Sequence, residues 1–282
     1  MVLFGSDFIA AKRLWLYPDQ PLQGVARAVA VFVLLFVAYQ VLQGVFATMI
    51  FSWALHGGLA GLANPGSTDF NQFIKALMLS IFPSAIIIAA LTIYLARFGM
   101  AGQMGRLPVG RPNLGLLGWL VVVFGFLVFS FIVYQAVFAA MGVDPATYVP
   151  SSDGLSDKNT AAGMVEKAMA DMASDPKLFA FVTLSAVIGA PLVEELLFRG
   201  ALFAAIAQSP FGRWGAVVIT SALFGLAHAM TDGWPVVIVL FLMGITLSLL
   251  LLRFGSLWVT IACHASWNAV QALALLSIGT HS

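Results

Sequence analysis

The chain has 282 residues, of which 61% are hydrophobic and only 9% charged, with a formal net charge of +1. A soluble globular domain carries roughly 25% charged residues, so this composition describes a polytopic membrane protein, and the near-neutral balance gives no basic field for nucleic acid. The single cysteine, Cys263, excludes an internal disulfide framework and a CxxC metal or redox site.

In chain order, the first 24 residues hold Asp7, Lys12, Arg13, Asp19 and two prolines without a continuous apolar core, so no removable signal peptide is expected. Apolar runs that reach the length of a membrane crossing then cover about Ala28 to Leu55, Ala76 to Ala96, Leu114 to Met141, Leu178 to Ile206, Trp214 to Met230, Trp234 to Leu252 and Leu257 to Ile278. The expectation is an all-α bundle of about seven spans forming a single transmembrane domain over residues 1–282. The fifth run is the shortest, and the fourth is long enough to tilt strongly or to end in a shallow amphipathic piece around Ala201 to Gln208. Trp214, Trp234 and Trp258 read as interfacial anchors.

Lysine and arginine set the orientation. In a seven-span topology Lys12, Arg13, Arg27, Arg97, Arg106, Arg111, Arg213 and Arg253 all fall on one side, against Lys75, Lys158, Lys167 and Lys177 on the other. The positive side is the cytoplasmic one, which predicts a cytoplasmic N-terminus. The connection from Gly142 to Lys177 holds six carboxylates and three lysines and reads as a long acidic outer loop, with a short surface helix over Thr160 to Ala173. Inverted repeats with broken helices, common in secondary transporters, are not evident.

Against this background Glu194 and Glu195 are the only two acids at membrane depth, and Arg199 follows one helical turn after the second. Ionisable groups in lipid are costly and default to function. On a helix Glu195 and Arg199 share a face, while Glu194 points about 100° away. An ion pair of Glu195 with Arg199 would leave Glu194 free to serve as a general base. His228 and His264 also lie within apolar runs, and Asn268 falls one turn after His264, where both can aim hydrogen-bond donors at one point. At about 1.5 Å per residue, Glu194 lies roughly 24 Å from the outer start of its span. His228 and His264 lie roughly 20 Å and 12 Å from the inner starts of theirs by the same rise. All three fall between mid-membrane and the cytoplasmic half.

Glu194-Glu195-Leu-Leu-Phe-Arg199 has the form EExxxR, Phe224-Gly-Leu-Ala-His228 the form FxxxH, and His264-Ala-Ser-Trp-Asn268 the form HxxxN. In this order they resemble the CPBP family of intramembrane proteases, related to type II CAAX prenyl endopeptidases and bacterial immunity (Abi) proteins. The resemblance covers about residues 178–270. It implies Glu194 as base, His228 as its partner in activating a water, and His264 with Asn268 as oxyanion donors, with Glu195 and Arg199 in a supporting role. The family is commonly labelled metalloprotease, and a zinc ion would take Glu194, His228 and His264 as ligands. The absence of an HExxH pattern, and the loss of the base if Glu194 were a ligand, favour no metal.

The expected partners are membrane lipid and a hydrophobic peptide or lipidated protein. The expected setting is a bacterial plasma membrane. Two other classes compete: a proton relay or transporter, since intramembrane Glu and His also carry protons, and a peptide-binding immunity protein that does not cleave. A lone histidine in an apolar helix more often bridges neighbouring helices, and Phe224 reads as packing. Gly189, Pro191, Gly200 and Gly225 are placed to allow close helix approach or a kink.

Overall fold

A computed structural model describes residues 22–53, 68–95, 108–145, 176–229 and 233–279. The expected surface helix at Thr160 to Ala173, most of the acidic loop, His56 and His281 lie outside the described residues.

Every one of the seven apolar runs is a helix. Helix α1 covers Leu22–Trp53, α2 Thr68–Tyr94 and α3 Leu116–Ala140. The fourth run is α-helical over α4 (Pro176–Leu184), α5 (Ala190–Glu194) and α6 (Phe203–Ala207), joined by π-helical turns at Ser185–Gly189 and Glu195–Leu202. This continuous motif helix is followed by α7 (Gly212–Ala227), α8 (Trp234–Phe254) and α9 (Leu257–Gly279). Among the described residues there are no strands.

Five of these helices are long and apolar enough to cross a membrane: Ala26–Trp53, Gln72–Tyr94, Leu116–Ala140, Lys177–Ala207 and Trp234–Phe254. The protein is thus multi-pass. Helix α7 has 16 residues, and at 1.5 Å per residue it reaches about 24 Å, short of a hydrocarbon core of about 30 Å. Helix α9 is long enough at 23 residues but carries His264, Ser266, Asn268 and Gln271.

The bundle turns its apolar side chains outward as well as inward. Leu34 and Val41 on α1, Leu117, Leu120 and Phe124 on α3, and Val218 and Leu226 on α7 are exposed. A water-soluble protein would bury such residues, but lipid is as apolar as they are, so only packing and polar contacts distinguish the inside. Trp214, Trp234 and Trp258 are exposed near the first turns of α7, α8 and α9, where anchors belong.

Local chemistry sets the joints. Gly255 ends α8 in the left-handed region, φ 62°, and its N–H returns to Leu251 O at 2.8 Å. Only glycine adopts that backbone without strain, so α9 can start two residues later. The segment before α3 is tied to this joint: Leu257 N–H donates to Pro108 O, the Ser256 hydroxyl to Gly110 O and the Trp258 indole to Val109 O, at 2.7, 2.6 and 3.0 Å.

The motif helix is the centre of the packing. It touches α1, α2, α7 and α9, and Ala201 to Ala205 are buried, with Ala201 and Ala205 against Ala28 of α1. Small side chains at 201, 204 and 205 let neighbouring helices close over that end.

Candidate active site

The site is built on the second π-turn, Glu195–Leu202, with α1, α7 and α9 packed around it and α8 reached through Gly244 O. π-turns are rare and concentrate at functional positions. Even in the widened turn, Arg199 Nη1 lies 2.9 Å from Glu195 Oε1, and both side chains are 0% exposed. A buried ion pair depends on how its remaining charge is served; two further contacts meet the guanidinium, while Arg199 Nε and Glu195 Oε2 have no hydrogen-bond partner among the described residues. The guanidinium carbon lies 4.4 Å from the centre of the Phe224 ring, and Nη2 sits 3.4 Å from Gly244 O on α8.

His264 is bracketed by the two glutamates. Its Nδ1 lies 3.0 Å from Glu195 Oε1, and its Nε2 lies 3.7 Å from Glu194 Oε2. Glu195 Oε1 thus accepts from both Arg199 and His264. Since a carboxylate only accepts, Nδ1 carries a proton. The 3.7 Å separation is too long for a hydrogen bond and is an electrostatic contact. Glu194 is the less buried of the pair, its side chain 18% exposed, and so is the carboxylate a substrate can reach.

His228 caps the end of α7. Its Nδ1 lies 3.0 Å from Phe224 O, which can only accept, so Nδ1 carries the ring proton and Nε2 keeps a lone pair in the neutral ring. Its ring meets the Phe224 ring edge-to-face at 5.2 Å, and the His264 ring does the same at 5.6 Å. Phe224 therefore packs, as expected, but what it packs against is Arg199, His228 and His264 together. Its own position is fixed by Phe198, 5.4 Å away.

Asn268 lies one turn after His264 and donates through Nδ2 to Ala186 O at 2.8 Å. The cause is readable in the backbone. In the first π-turn the N–H of Ala190 bonds to Ser185 O, so the donor due to Ala186 O is residue 191, a proline without an N–H. Asn268 fills that vacancy and ties α9 to the motif helix, leaving its second amide hydrogen uncommitted by this bond. Gly189 lets α2 approach here, since a Cβ would sit 3.3 Å from Phe82 Cδ2. At Gly225 a Cβ would lie 2.8 Å from Val237 O, so α7 and α8 meet without a side chain between them.

The EExxxR, FxxxH and HxxxN residues thus converge, although their partners differ in detail from the sequence expectation: the described contact of Glu194 is with His264. Among the described residues no group of three or more His, Cys, Asp or Glu side chains is arranged to hold a metal ion. In both histidines Nδ1 faces an oxygen acceptor, Phe224 O for His228 and Glu195 Oε1 for His264, and both imidazoles pack on Phe224.

These features define a helical membrane bundle closed around a glutamate, histidine and arginine cluster. Residues 176–270, a third of the chain, match the family model described as Rce1-like, Type II CAAX prenyl endopeptidase Rce1-like. The segment is similar to that family, the same one that the three motifs resemble. No curated protein and no solved structure matches the chain.

Proposed function

We propose that the protein is an intramembrane endopeptidase that hydrolyses a peptide bond in a hydrophobic or membrane-associated substrate, a prenylated CAAX-type peptide among them. The observation that carries the reading is the bracket of His264 between a fully buried Glu195 and a partly exposed Glu194. With both ring protons on His264, the charges of Glu194, Glu195, Arg199 and His264 sum to zero, the arrangement that costs least in low dielectric.

Glu194 takes a proton from a water held between it and His228, whose Nε2 accepts the water's second hydrogen bond. The resulting hydroxide adds to the peptide carbonyl. The His264 Nε2–H and the second Asn268 amide hydrogen donate to the developing oxyanion, and protonated Glu194 returns its proton to the leaving amine. Glu195 and Arg199 act through His264 by holding its ring. No step requires a metal. The chain is placed in a plasma membrane with seven crossings and a cytoplasmic N-terminus, as its lysine and arginine distribution supports, and cleavage falls in the cytoplasmic half.

The test is cleavage of a quenched-fluorescent peptide library, with and without a prenyl group, by purified wild type and Glu194→Gln in detergent, each with and without a chelator. The expected result is chelator-resistant cleavage that Glu194→Gln abolishes without unfolding the protein. Cleavage that persists in Glu194→Gln removes that residue as base, and chelator-sensitive cleavage restored by zinc replaces the mechanism with a metal-dependent one. A variant that loses cleavage but retains peptide binding distinguishes catalysis from the immunity-type reading.

A further inference from the structure

Helices α3 and α8 are tied together at one end. Residues 108–110, just before α3, bond to Leu257, Ser256 and Trp258, just after α8. The start of α3 and the end of α8 therefore lie side by side, and the two helices, which pack on each other, run antiparallel. Between them runs a groove of about 370 Å³, lined from α3 by Val122, Gly125 and Phe129 and from α8 by Thr246, Leu250 and Arg253.

This groove has an apolar body and one charged end. The Thr246 hydroxyl donates back to Leu242 O at 3.0 Å on its own helix, so it adds no free polar group to the lining. Gly125 gives the groove its depth, since a Cβ there would meet nothing within 4 Å. From Thr246 to Phe254, both in the lining, α8 rises about 12 Å. Arg253 is exposed in the last turn of α8, its guanidinium carbon 5.6 Å from the centre of the Phe254 ring. Arg111 is exposed at the same end, following Gly110 of the tether. Residues 108–140 and 234–279 contain no Asp or Glu, so the chain that builds this end supplies cations and no anion.

We infer that this groove binds an anionic phospholipid of the surrounding membrane, with one acyl chain along α3 and α8 and the phosphate at Arg253 and Arg111. A guanidinium offers phosphate two parallel N–H donors, and basic pockets between spans are where anionic head groups collect. A neutral phospholipid fills the same body but gains less at the arginines. The groove on α1 through Gly44 and Thr48 is the contrast, because no basic residue lines it. At 100° per residue, Thr246, Leu250 and Arg253 fall on the side of α8 opposite Gly244. The bound lipid thus backs the helix whose Gly244 O meets Arg199, and it touches no catalytic group.

The experiment is native mass spectrometry of the detergent-purified chain titrated with phosphatidylglycerol or with phosphatidylcholine of the same acyl chains. Wild type should retain phosphatidylglycerol in preference. Arg253→Gln should weaken that retention roughly fivefold, the scale of one basic side chain at an anionic membrane surface, and leave phosphatidylcholine unchanged. Gly125→Leu fills the groove from a position with open space around it and should weaken retention of both lipids. Gly44→Leu, in the α1 groove, should change neither. Thermal midpoints without added lipid should match wild type in all three variants; if one falls, the remaining groove variant decides alone. Equal retention of the two lipids by wild type, or phosphatidylglycerol retention unaltered in Arg253→Gln, overturns the contact with the head group. Retention unaltered in Gly125→Leu overturns the groove as its seat. A prenylated peptide that displaces phosphatidylglycerol from wild type, and is itself lost in Gly125→Leu, assigns the groove to substrate and overturns the inference.

Discussion

Helix α3 and the motif helix are both apolar enough to cross a membrane, yet few of α3's side chains are buried, against half of the motif helix. Helix α3 has no ionisable residue except Tyr134, one regular helical geometry and an outward face of Leu117, Leu120, Phe124 and Phe131. The motif helix has two π-turns, a proline, two glutamates and an arginine, and is enclosed by α1, α2, α7 and α9. The difference shows what sorts helices in lipid. Hydrophobicity alone does not draw a helix inward, because lipid solvates an apolar face as well as protein does; buried polar groups do, because only other helices can satisfy them.

That contrast can be broken from the inside. Arg199→Leu leaves the Glu195 carboxylate buried without its cation and should destabilise the fold by about 3–5 kcal/mol, measured by unfolding in mixed detergent. Adding Glu195→Leu should restore much of the loss, since the cost is the orphaned charge rather than the missing pair. A single variant as stable as wild type would show that the pair contributes nothing to closure of the bundle.

His264→Ala should act on rate, with a fall of roughly 100-fold or more, the usual effect of removing an oxyanion donor, read from kcat on the best peptide of the library. Asn268→Ala should cost about 1 kcal/mol of stability, since it strands the half-buried Ala186 carbonyl. In a Pro191→Ala background the cost should shrink, because residue 191 then supplies its own N–H. Equal losses in the two backgrounds would refute the account of the π-turn. At the other end, Leu120→Ala on the lipid face of α3 should change stability by less than about 0.5 kcal/mol.

Much of the site was legible without coordinates because its signals are local or chemically improbable elsewhere. Two adjacent acids in an apolar run, an arginine four residues later and a histidine with an asparagine at the same spacing are each helix-face statements, and the Glu195–Arg199 contact is the one that spacing predicts. Two things were not legible. The choice of His264 as the group between both glutamates depends on how α9 crosses the motif helix. The bond from Asn268 to Ala186 depends on a π-turn, which periodicity at 3.6 residues per turn does not anticipate, although Pro191 was a visible clue.

The sequence by itself determined that the protein lives in a membrane, where its helices run, and which few polar residues lipid would not tolerate unless they met one another. These follow from composition and from period, which are properties of single segments. Only the tertiary structure decided which polar group meets which, that α1 packs on the Glu195–Ala207 part of the motif helix, and that the end of that helix is buried among its neighbours. In lipid no face is excluded by its hydrophobicity, so helix order and rotation come from close packing at Gly189, Gly225 and Ala201 and from hydrogen bonds across helices.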